Sequence, residues 1–115
     1  MPVIQKTKQV YKVWIPIHRN MPRVERFGIG TRIDTKFLDL LNLLRKAAYA
    51  RAEDKVEPLK NAVSTLDSLR FFLQLSWEVS LIPNKQYTRL GKDVEEIGRM
   101  VGGWKKGIEK KTSAR

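Results

Sequence analysis

Between Tyr87 and Ile108 the apolar residues Tyr87, Leu90, Val94, Ile97, Val101, Trp104 and Ile108 recur at intervals of 3, 4, 3, 4, 3 and 4. A helix turns that spacing into one continuous seam, and a sustained heptad seam has to be covered by other helices. The same segment holds three glycines, Gly98, Gly102 and Gly103, within Glu96-Ile97-Gly98-Arg99-Met100-Val101-Gly102-Gly103-Trp104. Each glycine inside a helix costs about 1 kcal/mol relative to alanine, so three cost roughly 3 kcal/mol. A helix that tolerates this gains from bare backbone, through close approach of another helix, a partner surface or a polyanion. Gly98 and Gly102 lie four apart and are expected to make a small-residue groove on one face. Gly103 is expected to let the helix end turn the Trp104 indole toward the core. Arg99, beside the groove, is placed for an ion pair or a phosphate.

The rest of the chain reads as three further helices, with no strand-like alternation of useful length. The first runs from about Ile4 to Asn20, with Val10, Val13 or Trp14, Ile17 and Met21 on one side. Pro16 lies inside it and predicts a kink. Pro22 closes the segment, and Arg23 to Gly30 forms a corner. The second helix starts near Val24 or Thr31 and reaches Ala52, with Ile33, Phe37, Leu40, Leu41, Leu44 and Ala48 in its apolar row. Ala52-Glu53-Asp54-Lys55 is a short polar link of the length that joins antiparallel neighbours. The third helix, about Val56 to Leu81, has a core row at Leu59, Ala62, Val63, Leu66, Leu69, Leu73 and Trp77. Pro83 and Asn84 break the run before the glycine-bearing fourth helix, about Lys85 to Lys106. Four such helices with short links predict an all-α, up-down-up-down four-helix bundle, a single domain over 1–115 with a basic tail at about 107–115.

The third helix carries a second apolar row at Phe72, Leu75, Val79 and Ile82. One face serves the bundle core and the other needs a separate cover, most simply a second copy of the chain. Arg70 falls in this most apolar stretch, next to Phe71-Phe72-Leu73. A guanidinium there either snorkels at the bundle's edge or is paired, with Glu78, Glu96 or Asp67 as the candidate partners.

Charge narrows the partner class. The chain has 23 Lys and Arg against 12 Asp and Glu, a formal net charge of +11, which points to nucleic acid before anionic membrane. The excess is concentrated at the two ends of the sequence. Candidate phosphate contacts are Lys6, Lys8, Lys12, Arg19, Arg23 and Arg26 near the N-terminus, and Lys105, Lys106, Lys110 and Lys111 near the C-terminus, where Arg115 adds one more charge. On the fourth helix Asp93, Glu95 and Glu96 form an acidic cluster. Lys92 to Glu96 and Glu95 to Arg99 are each four apart, so intrahelical surface ion pairs are the expected arrangement.

Signals of catalysis are scarce, and the chain reads as noncatalytic with no cofactor. His18 is the only histidine and there is no cysteine, which removes Cys–His chemistry and leaves no imidazole pair for a metal. Beside Arg19, His18 is expected to face solvent or a phosphate. Ser64, Ser68, Ser76 and Ser80 have no neighbouring base. Gly28-Ile29-Gly30 lacks the third glycine and the preceding strand of a dinucleotide site. No apolar run approaches the roughly 20 residues that span a bilayer, and no signal core opens the chain. A reducing compartment, the cytoplasm, is the expectation.

Four segments of the chain resemble the Avd-like proteins, the accessory variability determinants of diversity-generating retroelements. They are Trp14-Ile15-Pro16-Ile17, Phe27-Gly28-Ile29-Gly30-Thr31-Arg32-Ile33, Lys85-Gln86-Tyr87 and the glycine-rich Glu96 to Trp104 segment. These proteins are related to the four-helix bundles encoded in ribosomal-RNA intervening sequences. The resemblance implies a homopentameric barrel with a basic surface that binds RNA or DNA and the element's reverse transcriptase. It implies an accessory role in mutagenic reverse transcription and retrohoming, with the chemistry done by the polymerase. From the residues alone, a stand-alone nucleic-acid or ribosomal-RNA-associated bundle and a purely structural assembly remain open.

Overall fold

The heptad seam becomes the longest helix of the molecule. In a computed structural model that describes residues 1–113, the chain forms α1 (Pro2–Arg19), α2 (Arg23–Phe27), α3 (Ile29–Tyr49), a 3₁₀ turn (Ala52–Asp54), α4 (Val56–Glu78) and α5 (Asn84–Ser113). Arg115, counted above with the tail's charge, lies outside the described residues. The four long helices α1, α3, α4 and α5 run up, down, up and down as a bundle of 52 × 22 × 20 Å. Helix α1 packs on α3 and α5, and α4 packs on the same two from the opposite corner. Among the described residues, no helix is long and apolar enough to cross a membrane.

Each helix buries one stripe. Leu90, Val94, Ile97 and Val101 of α5 are buried, with Tyr87, Trp104 and Ile108 half-buried at the ends of the seam. They meet Trp14, Phe37, Leu44, Leu66 and Leu73 in a single core. Trp14 rather than Val13 takes the core position on α1. Its ring lies 5.9 Å from Phe37, and its indole N–H donates to Asp34 Oδ1 at 3.2 Å. Tyr11 donates to the same oxygen at 2.9 Å, so one carboxylate ties α1 to α3. Helix α1 continues across Pro16, which is exposed, so the missing N–H falls on the solvent side.

The corner departs from the sequence reading, because α2 makes it a helical turn of its own. His18 is packed there rather than facing solvent. It stacks on Trp14 at 5.3 Å, and its Nε2 lies 2.8 Å from the carbonyl oxygen of Arg26. Thr31 donates to that same carbonyl at 2.9 Å. Gly30 permits this closure: a Cβ at position 30 would sit 2.6 Å from His18 Cδ2 and 3.1 Å from the Glu25 carbonyl oxygen.

Three boundaries also differ. Helix α4 ends at Glu78, not Leu81, in a Schellman turn in which Leu81 N–H donates to Ser76 O at 2.8 Å and Ser80 N–H to Trp77 O at 3.0 Å. Ser80 occupies the left-handed position of that turn, with φ 65°. The turn swings Ile82 into the core, 1% exposed, and leaves Trp77 outside, stacked on Tyr87 at 4.8 Å. At the other end of the bundle, α3 stops without a glycine. Lys55 Nζ instead donates to the free carbonyls of Ala47 at 2.6 Å and Ala48 at 3.2 Å, and lies 5.9 Å from the centroid of Trp104. Finally, what reads as a tail from about 107 is the continuation of α5 to Ser113.

Candidate nucleic-acid interface

Helix α5 contains four carboxylates, Asp93, Glu95, Glu96 and Glu109. All of them are ion-paired. Lys6, reaching over from α1, lies 3.2 Å from Asp93 and 3.1 Å from Glu96. Arg70, reaching over from α4, places Nε 2.9 Å from Glu95 and donates through Nη1 to Asp67 at 3.1 Å. The Glu95 contact is an ion pair away from the N–H axis rather than a linear hydrogen bond. Glu109 is held by Lys105 at 3.1 Å, and Arg89 approaches Asp93 at 4.0 Å.

These pairs replace the intrahelical ones expected from spacing. Glu96 goes to Lys6 rather than Lys92, and Glu95 goes to Arg70 rather than Arg99. Arg70 therefore has Asp67, one of the three candidates, and Glu95, which was not among them. A carboxylate on the flank of a packed helix can be reached by a cation from the neighbouring helix as well as by one on its own surface. Here the neighbour wins on both flanks of α5.

Lys92 and Arg99 are left without a side-chain partner among the described residues, and so are Lys85, Lys106, Lys110 and Lys111. All six are exposed. Lys85, Lys92, Arg99 and Lys106 are spaced by seven, so each is rotated by only about 20° from the one before and they form one row. The row lies opposite the buried seam of Leu90, Val94, Ile97 and Val101. At a rise of 1.5 Å per residue it extends for roughly 31 Å.

The glycines divide into two kinds. A Cβ at Gly98 would collide with Nη2 of Arg70, so this glycine makes room for the guanidinium that neutralises Glu95. Gly102 and Gly103 meet nothing within 4 Å, nor does Gly91, so within one chain they line no helix–helix groove. They leave the solvent side of α5 low and the basic side chains prominent. Arg99 belongs to that basic row rather than to a packing groove. Trp104 packs half-buried against the core beneath Lys55.

The candidate phosphate contacts do not form one site. Lys6 drops out, because two carboxylates take its charge, Glu96 first and then Asp93, and their contacts raise its pKa above the ordinary 10.5. Lys8, Lys12 and Arg19 are exposed along α1, and Arg23 is exposed in the corner. Arg26 lies over the Phe27 ring at 5.3 Å and points Nη1 at the Arg19 carbonyl. Arg19, Arg23 and Arg26 sit at the end of the bundle where α5 begins. Lys105, Lys106, Lys110 and Lys111 sit at the other end, where Met1 and Pro2 border Trp104. Lys85 and Lys92 join the two ends and were missing from the set, while Arg99, placed for an ion pair or a phosphate, falls in the same row. Their heptad repeat was present in the sequence, but the two acids four residues away masked it.

The second apolar row of α4 is partly outward. Phe72 and Leu75 line a shallow groove with Phe27 and Ile29, rimmed by Arg32 and Lys36. Phe71 stacks edge-on against Phe72 at 5.5 Å, and Phe71, Phe27 and Val79 are 64%, 68% and 57% exposed. Ile82 cannot take part, since it lies in the core. Phe27 and Phe71 enlarge the patch beyond what helical spacing on α4 alone could show.

A family model described as bAvd-like matches residues 1–108. No curated protein matches the chain. Among solved structures, the chain is similar to a protein of unknown function from the S23 ribosomal protein family of Bacteroides thetaiotaomicron. The TM-score is 0.82 at 18% identity, covering 90% of this chain and 95% of that one. At that identity the likeness concerns the fold.

Proposed function

The chain belongs to the bAvd-like family, and from that membership we propose that it is the noncatalytic accessory of a diversity-generating retroelement. In this reading it binds RNA or DNA through phosphate contacts, docks the element's reverse transcriptase, and so supports mutagenic reverse transcription and retrohoming. It does so as a homo-oligomer, a pentamer by resemblance to the family. The observation that carries the nucleic-acid part is the pairing of every α5 carboxylate, which leaves a continuous row of cations facing solvent. The exposed rings of Phe27 and Phe71, with the half-buried Phe72 beside them, support association with a protein surface, either a second copy or the polymerase.

Where a reverse transcriptase is encoded beside this chain, co-expression with it tests this directly. A complex that survives nuclease and 0.5 M salt, with light scattering of the chain alone giving several times 13.4 kDa, is the expected result. A monomer at micromolar concentration that never co-purifies with the polymerase refutes it. The fold shared with an S23 ribosomal-protein relative favours a second reading, a stand-alone RNA-associated bundle. A neighbouring reverse-transcriptase gene with template and variable repeats selects the first reading, and their absence selects the second.

A further inference from the structure

Resting on that nucleic-acid reading, we infer that the row on α5 selects double-stranded nucleic acid and grips it by its phosphates alone, without reading bases. Lys85, Lys92, Arg99 and Lys106 are carried by one uninterrupted helix, so their spacing is fixed before any ligand arrives. Adjacent cations are about 10.5 Å apart along the axis, and the row of roughly 31 Å approaches the 34–36 Å of one duplex turn.

Three features separate duplex from single strand. First, a duplex carries one charge per about 1.7 Å of axis, against one per about 3.4 Å for a single strand, so the same row meets twice the charge. Second, a duplex is already stiff over this distance, whereas a flexible strand must be straightened to meet a fixed row, at a cost in conformational entropy. Third, surfaces that hold single strands combine a basic groove with aromatic rings on which bases stack. The outward face of α5 has none. Tyr87 and Trp104, its two aromatic residues, are turned onto the core, and Tyr87 is stacked on Trp77. Between the cations the face carries Thr88, Gly91, Gly102 and Gly103, with the paired carboxylates of Glu95 and Glu96 at its edges, and the glycines let a broad ligand approach the helix backbone. Lysine and arginine are also able to read guanine edges, so sequence independence is what the scrambled duplexes test.

The test is fluorescence anisotropy at 50 mM salt with one 20-nucleotide sequence, presented as double-stranded DNA, double-stranded RNA, hybrid and each single strand. The proteins are the full chain and two double variants, Lys92→Gln/Arg99→Gln and Arg19→Gln/Arg23→Gln. Among the described residues none of the four side chains makes a hydrogen bond or an ion pair, and all four are exposed, so the thermal unfolding of each variant should match the parent. The inference expects all three duplexes to bind about tenfold tighter than single strands, with scrambled duplexes equivalent. It expects the α5 variant to lose most of that preference while the corner variant keeps it. Equal affinity for single strands, or an α5 variant indistinguishable from the parent, overturns the duplex assignment and leaves nucleic-acid binding standing. No binding to any of the probes overturns the binding reading as well.

Discussion

Ser80 holds φ 65° at the end of α4, a conformation that costs a non-glycine residue about 1 kcal/mol. Ser80→Gly should therefore raise stability by about 1 kcal/mol in urea unfolding, since the two Schellman hydrogen bonds are already in place. No gain would mean the turn differs from the one described. The same residue explains a misplaced boundary: without a glycine to mark the stop, the apolar run to Leu81 reads as more helix. The glycines of α5 teach the converse lesson. Their presence announced a close contact, but only Gly98 has one, because the contacting atom comes from Arg70 on another helix. Gly98→Leu should push the Arg70 guanidinium, the flexible end of a half-exposed side chain, off Glu95. Net stability should change by less than about 1 kcal/mol, because leucine favours helix, while a double-mutant cycle with Arg70→Ala should show that the two changes are not additive. Gly102→Leu should leave the stability of a single chain unchanged or slightly raised, because its Cβ meets open space and leucine favours helix. A loss of assembled mass in that variant would place Gly102 in a contact between copies.

At the scale of helices, the Lys6 link between α1 and α5 carries a definite pH signature. Its folded-state pKa is raised, so its contribution is full below the ordinary 10.5 and is lost as pH climbs through the folded value. Tyr11, whose pKa burial and the Asp34 contact both raise, adds to the same alkaline loss, since the unfolded tyrosine ionises first. Lys6→Met should accordingly show a shallower fall in stability between about pH 10 and 12 than the parent, read from urea midpoints across that range. Identical slopes would reject the link. The helices themselves were legible because the seam of α5 and the rows of α3 and α4 follow simple periods. Which charges pair was not legible. Spacing along α5 favoured Lys92 with Glu96 and Glu95 with Arg99, and only the packing of α1 and α4 on its flanks reveals the nearer cations. The corner was half legible: Gly28 and Gly30 marked a turn, but the approach of His18 that requires Gly30 is a contact across helices.

For the whole molecule, elongation and charge act together. A compact monomer of 13.4 kDa exposes roughly 6,500 Å², whereas this chain exposes 7235 Å², including the Phe27 and Phe71 rings. The exposed Phe27 and Phe71 rings of α2 and α4 suit a protein partner, while α5 presents its cations on the side facing away from the core. The overall positive charge was evident from composition, but its arrangement was not, since the sequence placed the cations at the chain ends and the fold adds a row between them. The central claim is that this row engages phosphates. It is tested most directly by the slope of log K against log salt for duplex binding, compared between the full chain and Lys92→Gln/Arg99→Gln. Each phosphate contact contributes a slope of about −0.9, so loss of two cations should flatten the line by roughly 1.8 for each row engaged. A salt-independent affinity, or a slope that the double substitution leaves unchanged, would contradict the account.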